Sequence, residues 1–238
     1  GTDFRVGMAP MYTVMVAPVE ATIKGASIEN TLTLAGAKVS VGLDGSIRNW
    51  DGTKGPKANP SQNILIPDVD TKNIALYAKT SKTVGNYDIS GGIRYDDTSI
   101  DADQGLSSID PANAAYLAGI QDKNYNNISA NLMAKYNYTP STNVFVGIGQ
   151  SISVPDAKEL YWVTMTNGMP STNNNSAVSG GNDTLQETKN REIDLGVEHT
   201  AGNFYIKGTA FYSDLKDFIY QYKTGATSTW ANIDARIV

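Results

Sequence analysis

The sequence has 238 residues, a net charge of -5, 40% hydrophobic residues and a mean hydropathy of -0.30. The absence of cysteine excludes disulfides and thiolate chemistry, and the negative net charge gives no electrostatic basis for binding nucleic acid. No run approaches the ~20 apolar residues of a membrane helix, which leaves a soluble protein or a membrane β-barrel, whose strands face lipid only at alternate positions.

Hydrophobic alternation and turn signals divide the chain into about ten strands. A first strand over residues 3–9 is followed by a Met-rich link to about residue 21. The later strands are predicted at residues 22–33, 38–49, 72–82, 87–98, 125–138, 143–154, two within 187–217, and 229–238. Short turns at 34–37, 84–86, 139–142 and 201–203 alternate strictly with long loops at 50–70, 99–124 (with a short helix at 111–117) and 155–186. This alternation is typical of outer-membrane barrels.

The hairpin over residues 187–217 shows most clearly how the strands divide into two faces. Its first strand alternates apolar and polar residues from Ile193 to Glu198, as expected when one face is apolar and the other polar. We therefore predict which side chains face lipid and which face the barrel lumen. The lipid-facing set includes Ile128, Leu132, Val146, Ile148, Leu195 and Ile206, and the lumen-facing set includes Asn131, Lys135, Asp194 and Lys207.

Four segments of the chain resemble sequence signatures of TonB-dependent outer-membrane receptors. Residues 181–196 are similar to the "GNPxLKPExxxxxELG" signature late in their barrels, and residues 211–219 to their "xFYSxxKDxI" strand. Residues 232–237 resemble "NIDxAxI". Residues 153–161 resemble "FRxPxxxELY", although Val154 and Asp156 stand where an Arg and an apolar residue are common. The four segments occur in the family's order and cover about the last third of the chain.

The resemblance implies an all-β fold, an antiparallel up-and-down transmembrane β-barrel segment of about ten long strands with short periplasmic turns and long extracellular loops. Residues 1–238 are expected to form part of a receptor's barrel domain, without its plug domain and final strands. The implied location is the bacterial outer membrane. The implied partners are outer-membrane lipid, the TonB complex acting through the plug, and a metal or metal chelate.

The resemblance implies uptake of a scarce metal, either copper or a ferric siderophore, as the function of the parent receptor. No resident cofactor is expected, because copper or a ferric chelate would be cargo. A passive diffusion porin and a structural barrel are the alternatives. An enzyme is not expected, since His199 is the only histidine and no motif of a hydrolase, metalloprotease or nucleotide-binding loop is present.

Methionines in predicted loops are candidate metal ligands. Met8, Met11 and Met15 follow one another at spacings of three and four, and Met165 and Met169 lie in the longest loop. Thioethers are soft, neutral ligands that favour Cu(I). The alternative is that these side chains fill gaps where loops pack together.

Two groups of acidic residues and three aromatic residues are further candidates. Asp96, Asp97, Asp101 and Asp103, together with Asp68 and Asp70, either bind Ca²⁺ or form solvated loops. The aromatic residues are predicted where strands leave the membrane, and they serve either as interfacial anchors or as contacts for a ferric chelate. These candidate substrate-binding residues are Tyr161, Trp162 and Trp50.

Overall fold

The computed structural model describes residues 15–57, 59, 63–104, 114–163, 180–224 and 227–238. The described residues form ten β-strands and two short helices. The strands are β1 (Met15–Val16), β2 (Val19–Leu34), β3 (Ala37–Pro56), β4 (Asn63–Val84), β5 (Tyr87–Ala102), β6 (Lys123–Thr139), β7 (Thr142–Ser153), β8 (Thr188–Ala201), β9 (Phe204–Thr224) and β10 (Thr227–Ile237). The helices are α1 (Ala114–Leu117) and α2 (Ala157–Tyr161). No helix in these ranges is long and apolar enough to cross a membrane.

All ten strands belong to one antiparallel sheet in which sequence neighbours pair. From β3 to β10 each strand pairs with the next, while β1 and β2 both pair with β3. Strands β2 to β10 have 11 to 22 residues, which is long for a globular sheet. The predicted all-β, up-and-down architecture of about ten long strands is therefore confirmed. The predicted strand over residues 3–9 lies outside the described residues.

Four hairpins turn within two residues at one end of the sheet. The two turn residues follow Leu34, Val84, Thr139 and Ala201. Ala35 and Gly36 have φ angles of 49° and 74°, the left-handed conformation that a two-residue hairpin with the native strand twist requires. The predicted short turns are confirmed.

At the opposite end, two of the predicted long loops are shorter than expected. Strand β3 continues to Pro56 and β4 begins at Asn63, so that most of the predicted loop 50–70 is strand. Likewise β5 continues to Ala102 and β6 begins at Lys123. The strands extend further than predicted because their ends pack against a hydrophobic core. The hydrophobic periodicity within each strand cannot predict that contact.

The strict alternation of short turns and long loops is wrong at the last hairpin. Thr224 of β9 pairs directly with Thr227 of β10, so that only two residues connect these strands at the loop end. Strand β9 continues past Asp217 because it contains a bulge there. At this bulge the register with β10 shifts between Ile233 and Ala235, and Asp217 has φ 55°.

The sheet has one apolar face and one polar face, as the alternation predicts. Leu132 lies directly opposite Ile148, while Asn131 lies opposite Gly149 on the other face. The six residues predicted to face lipid are all on the apolar face and are 39% to 57% exposed. This face carries Ile128, Leu132, Val146, Ile148, Leu195 and Ile206, and the polar face carries Asn131, Lys135, Asp194 and Lys207.

Among the described residues, strands β2 and β10 each pair on one side only. No residue of Val19–Leu34 in β2 is buried, as expected for a strand that pairs on one side only. The main hydrophobic core instead lies on the polar face at the loop end, where α2 packs against the strands.

Candidate functional site: an aromatic cluster at the loop end

A buried cluster closes the polar face at the loop end of the sheet. Strands β4, β5 and β6 contribute residues near their ends, and α2 lies over them from the connection between β7 and β8. The buried members are Ile66, Val69, Ile100, Ala102, Ile120, Tyr125, Ala157, Leu160, Tyr161 and Leu185. We call this group the loop-end cluster. It forms where the strands stop alternating and place apolar residues on the otherwise polar face.

Helix α2 is short, and a capping box defines its start. The Asp156 side chain accepts a hydrogen bond from the Glu159 N–H, and the Glu159 side chain accepts one from the Asp156 N–H, each at 2.8 Å. This reciprocal arrangement satisfies amide groups at the first turn. Burial raises the pKa of the Glu159 carboxyl, and the Asp156 N–H opposes that rise.

All three tryptophans of the chain converge on the loop-end cluster. Trp50, Trp162 and Trp230 are partly buried and pack against it, although they lie far apart in the sequence. Arg48 stacks over Trp50 with its guanidinium 5.2 Å from the ring centroid, and the Lys158 ammonium lies 5.0 Å from that of Trp162. Each cation–π pair places a positive charge at an indole face. The indole N–H of Trp50 has no hydrogen-bond partner in the described structure.

Tyr161, the third predicted substrate contact, lies inside the loop-end cluster. It is fully buried, and its hydroxyl donates to the Gln121 carbonyl at 2.7 Å. Burial also raises the pKa of the Tyr161 hydroxyl. In this conformation Tyr161 packs within the cluster that supports the partly buried Trp50 and Trp162, and it presents no surface of its own. Its role in substrate binding stays a prediction.

Trp230 is the functional candidate that sequence reasoning missed. It lies two residues before the segment that resembles the family strand "NIDxAxI", at the start of the strand predicted over residues 229–238. Composition was the signal that could have indicated Trp230, because the chain has only three tryptophans and the other two are predicted at strand ends. Only the pairing of β9 with β10 shows that the third reaches the same cluster.

The segment after the longest loop fastens α2 to the last hairpin. Asn182 donates its backbone N–H to the Glu159 carbonyl at 2.8 Å and its side-chain amide to the Trp230 carbonyl at 2.9 Å. Asn232 accepts from the Gln186 N–H at 2.9 Å and donates to the Asp217 carbonyl at 2.7 Å. On the other side, the Val163 N–H donates to the Leu65 carbonyl of β4. The described parts of the β7–β8 connection, residues 154–163 and 180–187, thus contact β4 and β10.

The predicted methionine ligands fall almost entirely outside the described residues. Met8, Met11, Met165 and Met169 lie there. Met15 of β1 is described only through its backbone, which pairs with that of Pro56 of β3. Their role as metal ligands stays a prediction.

The acidic residues proposed as a calcium site are adjacent in part, since Asp70 lies opposite Asp101, but four of them have partners within the protein. Asp96 accepts from Arg94 and Asn73, while Asp101 forms an ion pair with Lys72 at 2.8 Å. Asp68 and Asp70 both accept from the Asn49 side chain. Among the described residues no group of three or more His, Cys, Asp or Glu could hold a metal ion. For Asp96 and Asp101 these contacts favour the alternative without calcium.

Below the cluster, paired charges line the polar face. Glu198 forms ion pairs with Lys135 at 3.3 Å and Lys207 at 3.2 Å. Arg94 pairs with Asp44 and with Asp96. An open groove of about 660 Å³ runs along this face and includes Asn131 among its lining residues. A wall of this kind suits hydrated or polar contents, in contrast to the opposite, apolar face.

A long-stranded antiparallel sheet with an exposed apolar face and a charged inner face defines the class of outer-membrane β-barrels. The family described as TonB dependent receptor-like, beta-barrel, matches residues 18–237, and the chain belongs to this family. Members of the family are outer-membrane transporters of Gram-negative bacteria and are not enzymes. The predictions of family, fold class and lack of enzymatic activity are thereby confirmed.

Solved receptor structures show the same fold at low sequence identity. The copper transporter OprC is 18% identical with a TM-score of 0.71, covering 93% of this chain and 34% of its own. The hemophore receptor HasR of Serratia marcescens, a double mutant solved with its hemophore HasA and heme, is 13% identical with a TM-score of 0.64, covering 93% and 38%. The FrpB iron transporter from Neisseria meningitidis is 13% identical with a TM-score of 0.60, covering 90% and 31%. No curated protein matches the sequence.

Proposed function

We propose that this chain forms part of the barrel wall of an outer-membrane receptor that takes up a scarce metal or metal chelate, powered through the TonB complex. The observation that carries the proposal is the convergence of Trp50, Trp162 and Trp230 at the loop end of the polar face. In a transporter family, partly buried indoles grouped at the mouth of a polar-lined wall are suited to a planar or aromatic ligand. The positive charges of Arg48 and Lys158 on two of these rings favour an anionic one.

The chain spans about a third of the length of OprC, HasR and FrpB. Strands β2 and β10 each leave one edge unpaired among the described residues, and an open edge is unfavourable in lipid. We therefore propose that residues 1–238 are part of a larger barrel domain whose further strands complete the wall. Contact with the TonB complex would then run through a plug domain.

Energy-dependent uptake is the test of this function. Cells lacking their own outer-membrane metal receptors would express the full-length parent receptor, and accumulation of copper and of ferric chelates would be measured. We expect accumulation of one of these cargoes only when the TonB complex is active. A receptor that accumulates neither cargo, in several chelate forms, contradicts the proposal.

Two sets of substitutions distinguish the cargoes. Changing Met11 and Met15 together to Leu removes two sulfurs while keeping apolar volume, so Cu(I) or Ag(I) affinity should fall and ferric chelate binding should remain. Changing Trp50 and Trp162 to Leu should instead reduce binding of a ferric chelate. If neither pair of changes alters affinity for its cargo, both predicted sites are wrong while the transport proposal still stands.

A passive diffusion porin is the second candidate, and one observation favours it. The described parts of the β7–β8 connection lie over the polar face and hydrogen-bond to β4 and β10, as an inward-folded loop of a porin would. A porin carries solutes down their gradient without an energy source. Unchanged uptake after inactivation of the TonB complex would therefore favour the porin over the receptor.

A further inference from the structure

Four cations occupy adjacent strands on the apolar face near the loop end. They begin directly after the apolar row of Ile148, Ile193 and Tyr212, which lie opposite one another on β7, β8 and β9. Two residues further along the strands, Arg191 of β8 lies opposite Asp214 of β9, and Asp214 lies opposite Arg236 of β10. The next outward pair is Lys189 opposite Lys216. We call Lys189, Arg191, Lys216 and Arg236 the basic patch.

Within the described residues, two of the four members of the basic patch have no carboxylate partner. Lys189 pairs with Glu187 at 3.1 Å, and Arg236 pairs with Asp214 at 3.3 Å. Arg191 donates to the neutral Gln150 side chain at 2.9 Å and forms no ion pair with any described residue. Lys216 has no ion pair within the part of the chain that the structure describes, and the nearby Asp234 carboxylate accepts the backbone N–H of Asp217.

The direct opposition of Lys189 and Lys216 is unfavourable without an anion. Side chains directly opposite in an antiparallel pair have Cβ atoms about 5 Å apart, and like charges in such pairs destabilise a sheet. Arg191 lies on the same face two residues from Lys189. The three residues are therefore neighbours on this face, and one anion could interact with all of them once Arg191 leaves Gln150 and Lys189 leaves Glu187.

The height of the patch can be counted from the tight turns. Arg191 lies about ten residues from the turn after Ala201, and Lys216 about twelve from the turn before Phe204. At about 3.3 Å per residue and a strand tilt of about 40°, these positions are roughly 25 and 30 Å from the turn rim. The apolar band of an outer-membrane barrel is about 25 Å tall. The basic patch thus begins at the outer boundary of the membrane's hydrocarbon layer.

We propose that the basic patch binds a phosphorylated headgroup of an outer-leaflet lipid, with one phosphate between Lys189, Arg191 and Lys216. This proposal rests on the membrane location given under the proposed function. The headgroup phosphates are the anions available at this height, and the exposed apolar row beneath the patch continues into the acyl-chain region. A bound lipid of this kind would brace β8 against β9 on the side opposite the loop-end cluster.

The test compares full-length receptor carrying Lys189→Gln, Arg191→Gln and Lys216→Gln with the wild type. Each is reconstituted into phosphatidylcholine vesicles with and without a phosphorylated glycolipid of the outer leaflet, and retained glycolipid is measured by native mass spectrometry. Because each basic residue near an anionic lipid surface changes binding roughly fivefold, we expect at least a tenfold loss of retained glycolipid. Thermal stabilisation by the glycolipid should be lost as well.

Lys72→Gln is the matched control. Lys72 lies about twelve residues from its own tight turn, on the apolar face opposite Ile47, and it already pairs with Asp101 at 2.8 Å. Its variant should retain glycolipid as the wild type does, and so should Lys189→Arg with Lys216→Arg. Equal retention by the triple Gln variant and the wild type overturns the proposal.

Two further measurements separate this proposal from others. If inorganic phosphate stabilises the wild type as strongly as the glycolipid does, the patch is a free-anion site and the lipid assignment is wrong. Metal uptake is measured in parallel and should be retained in the triple variant. A wild type that binds glycolipid but transports no metal contradicts only the transport proposal.

Discussion

At the scale of single residues, two aromatic rings on the polar face lie over glycines of neighbouring strands. A Cβ added to Gly42 would lie 2.2 Å from Cζ of Tyr77, and one added to Gly196 would lie 2.1 Å from Cζ of Phe145. Tyr77 is also held by its hydroxyl, which donates to Glu29 at 2.8 Å. The ring therefore uses the space that the missing side chain leaves.

We predict that Gly42→Ala destabilises the parent barrel by about 1–3 kcal/mol, because Tyr77 must leave its position and lose the bond to Glu29. Gly45→Ala is the control, since a Cβ there would meet nothing within 4 Å. It should be neutral or slightly stabilising, because alanine restricts the unfolded chain more than glycine does. Unfolding in urea would show the difference, and equal midpoints for the two variants would refute this packing account.

The two faces of β6 provide a second prediction at the residue scale. Leu132 is exposed on the apolar face opposite Ile148, and Asn131 lies on the polar face opposite Gly149. Arginine at a lipid-facing midplane position costs about 2–4 kcal/mol, whereas a lumen position tolerates charge. We expect Leu132→Arg to destabilise the parent receptor in lipid vesicles and Asn131→Arg to have little effect. Similar unfolding free energies for both variants would show that this face does not meet lipid.

At the scale of elements, the connection between β7 and β8 depends on one close backbone contact. A Cβ at Gly181 would lie 2.5 Å from the Leu160 carbonyl oxygen, and backbone cannot rotate away as a side chain can. The Gly181 N–H also donates to the Trp162 carbonyl at 2.8 Å. The glycine of the signature-like segment at 181–196 therefore has a specific steric role at the end of α2.

We predict that Gly181→Ala displaces α2 from the loop-end cluster and costs about 3 kcal/mol or more. The three tryptophans of this chain all pack against that cluster, so their fluorescence in this segment reports on it. The emission should shift to longer wavelength as the indoles gain solvent. Gly85→Ala, at a turn far from the cluster with no atom near its Cβ but with φ 59°, tests whether strain alone gives the shift. An unshifted spectrum for Gly181→Ala would contradict this steric role.

Helix α2 also gives a pH dependence. Burial raises the pKa of Glu159 above its ordinary 4.5, so the folded protein binds this proton more tightly than the unfolded chain. Its contribution to stability is therefore fully present below pH 4.5 and is lost as pH rises through the folded pKa. Glu159→Gln removes this titration but keeps an acceptor for the Asp156 N–H. The difference in unfolding free energy, wild type minus variant, should decrease as pH rises, and a flat difference would contradict the burial effect.

At the scale of the whole molecule, the sequence predicts the repeating part of the fold well. Alternation from Ile193 to Glu198 and turn residues such as Gly202 determine strand, face and hairpin locally, so they need no knowledge of distant residues. The loop-end cluster depends on residues from β4, β5, β6 and the β7–β8 connection meeting in space. The hydrophobic periodicity of a single strand cannot predict this contact between distant segments. For this reason strand ends near Pro56 and Ala102, and the place of Trp230, were beyond sequence reasoning.

The two ends of the sheet should lie on opposite sides of the membrane. Ser141 lies in a tight turn, whereas Lys57 is exposed just after β3 at the loop end. Because tight turns face the periplasm and the longer connections face outward in such barrels, a membrane-impermeant thiol reagent should reach only one of them. The chain contains no cysteine of its own, so Lys57→Cys and Ser141→Cys each introduce a single reactive site within it. In intact cells we expect labelling of Lys57→Cys alone, and labelling of both after the outer membrane is permeabilised. Labelling of Ser141→Cys in intact cells, at the rate seen for Lys57→Cys, would show that the barrel is inverted or that this sheet does not span the membrane.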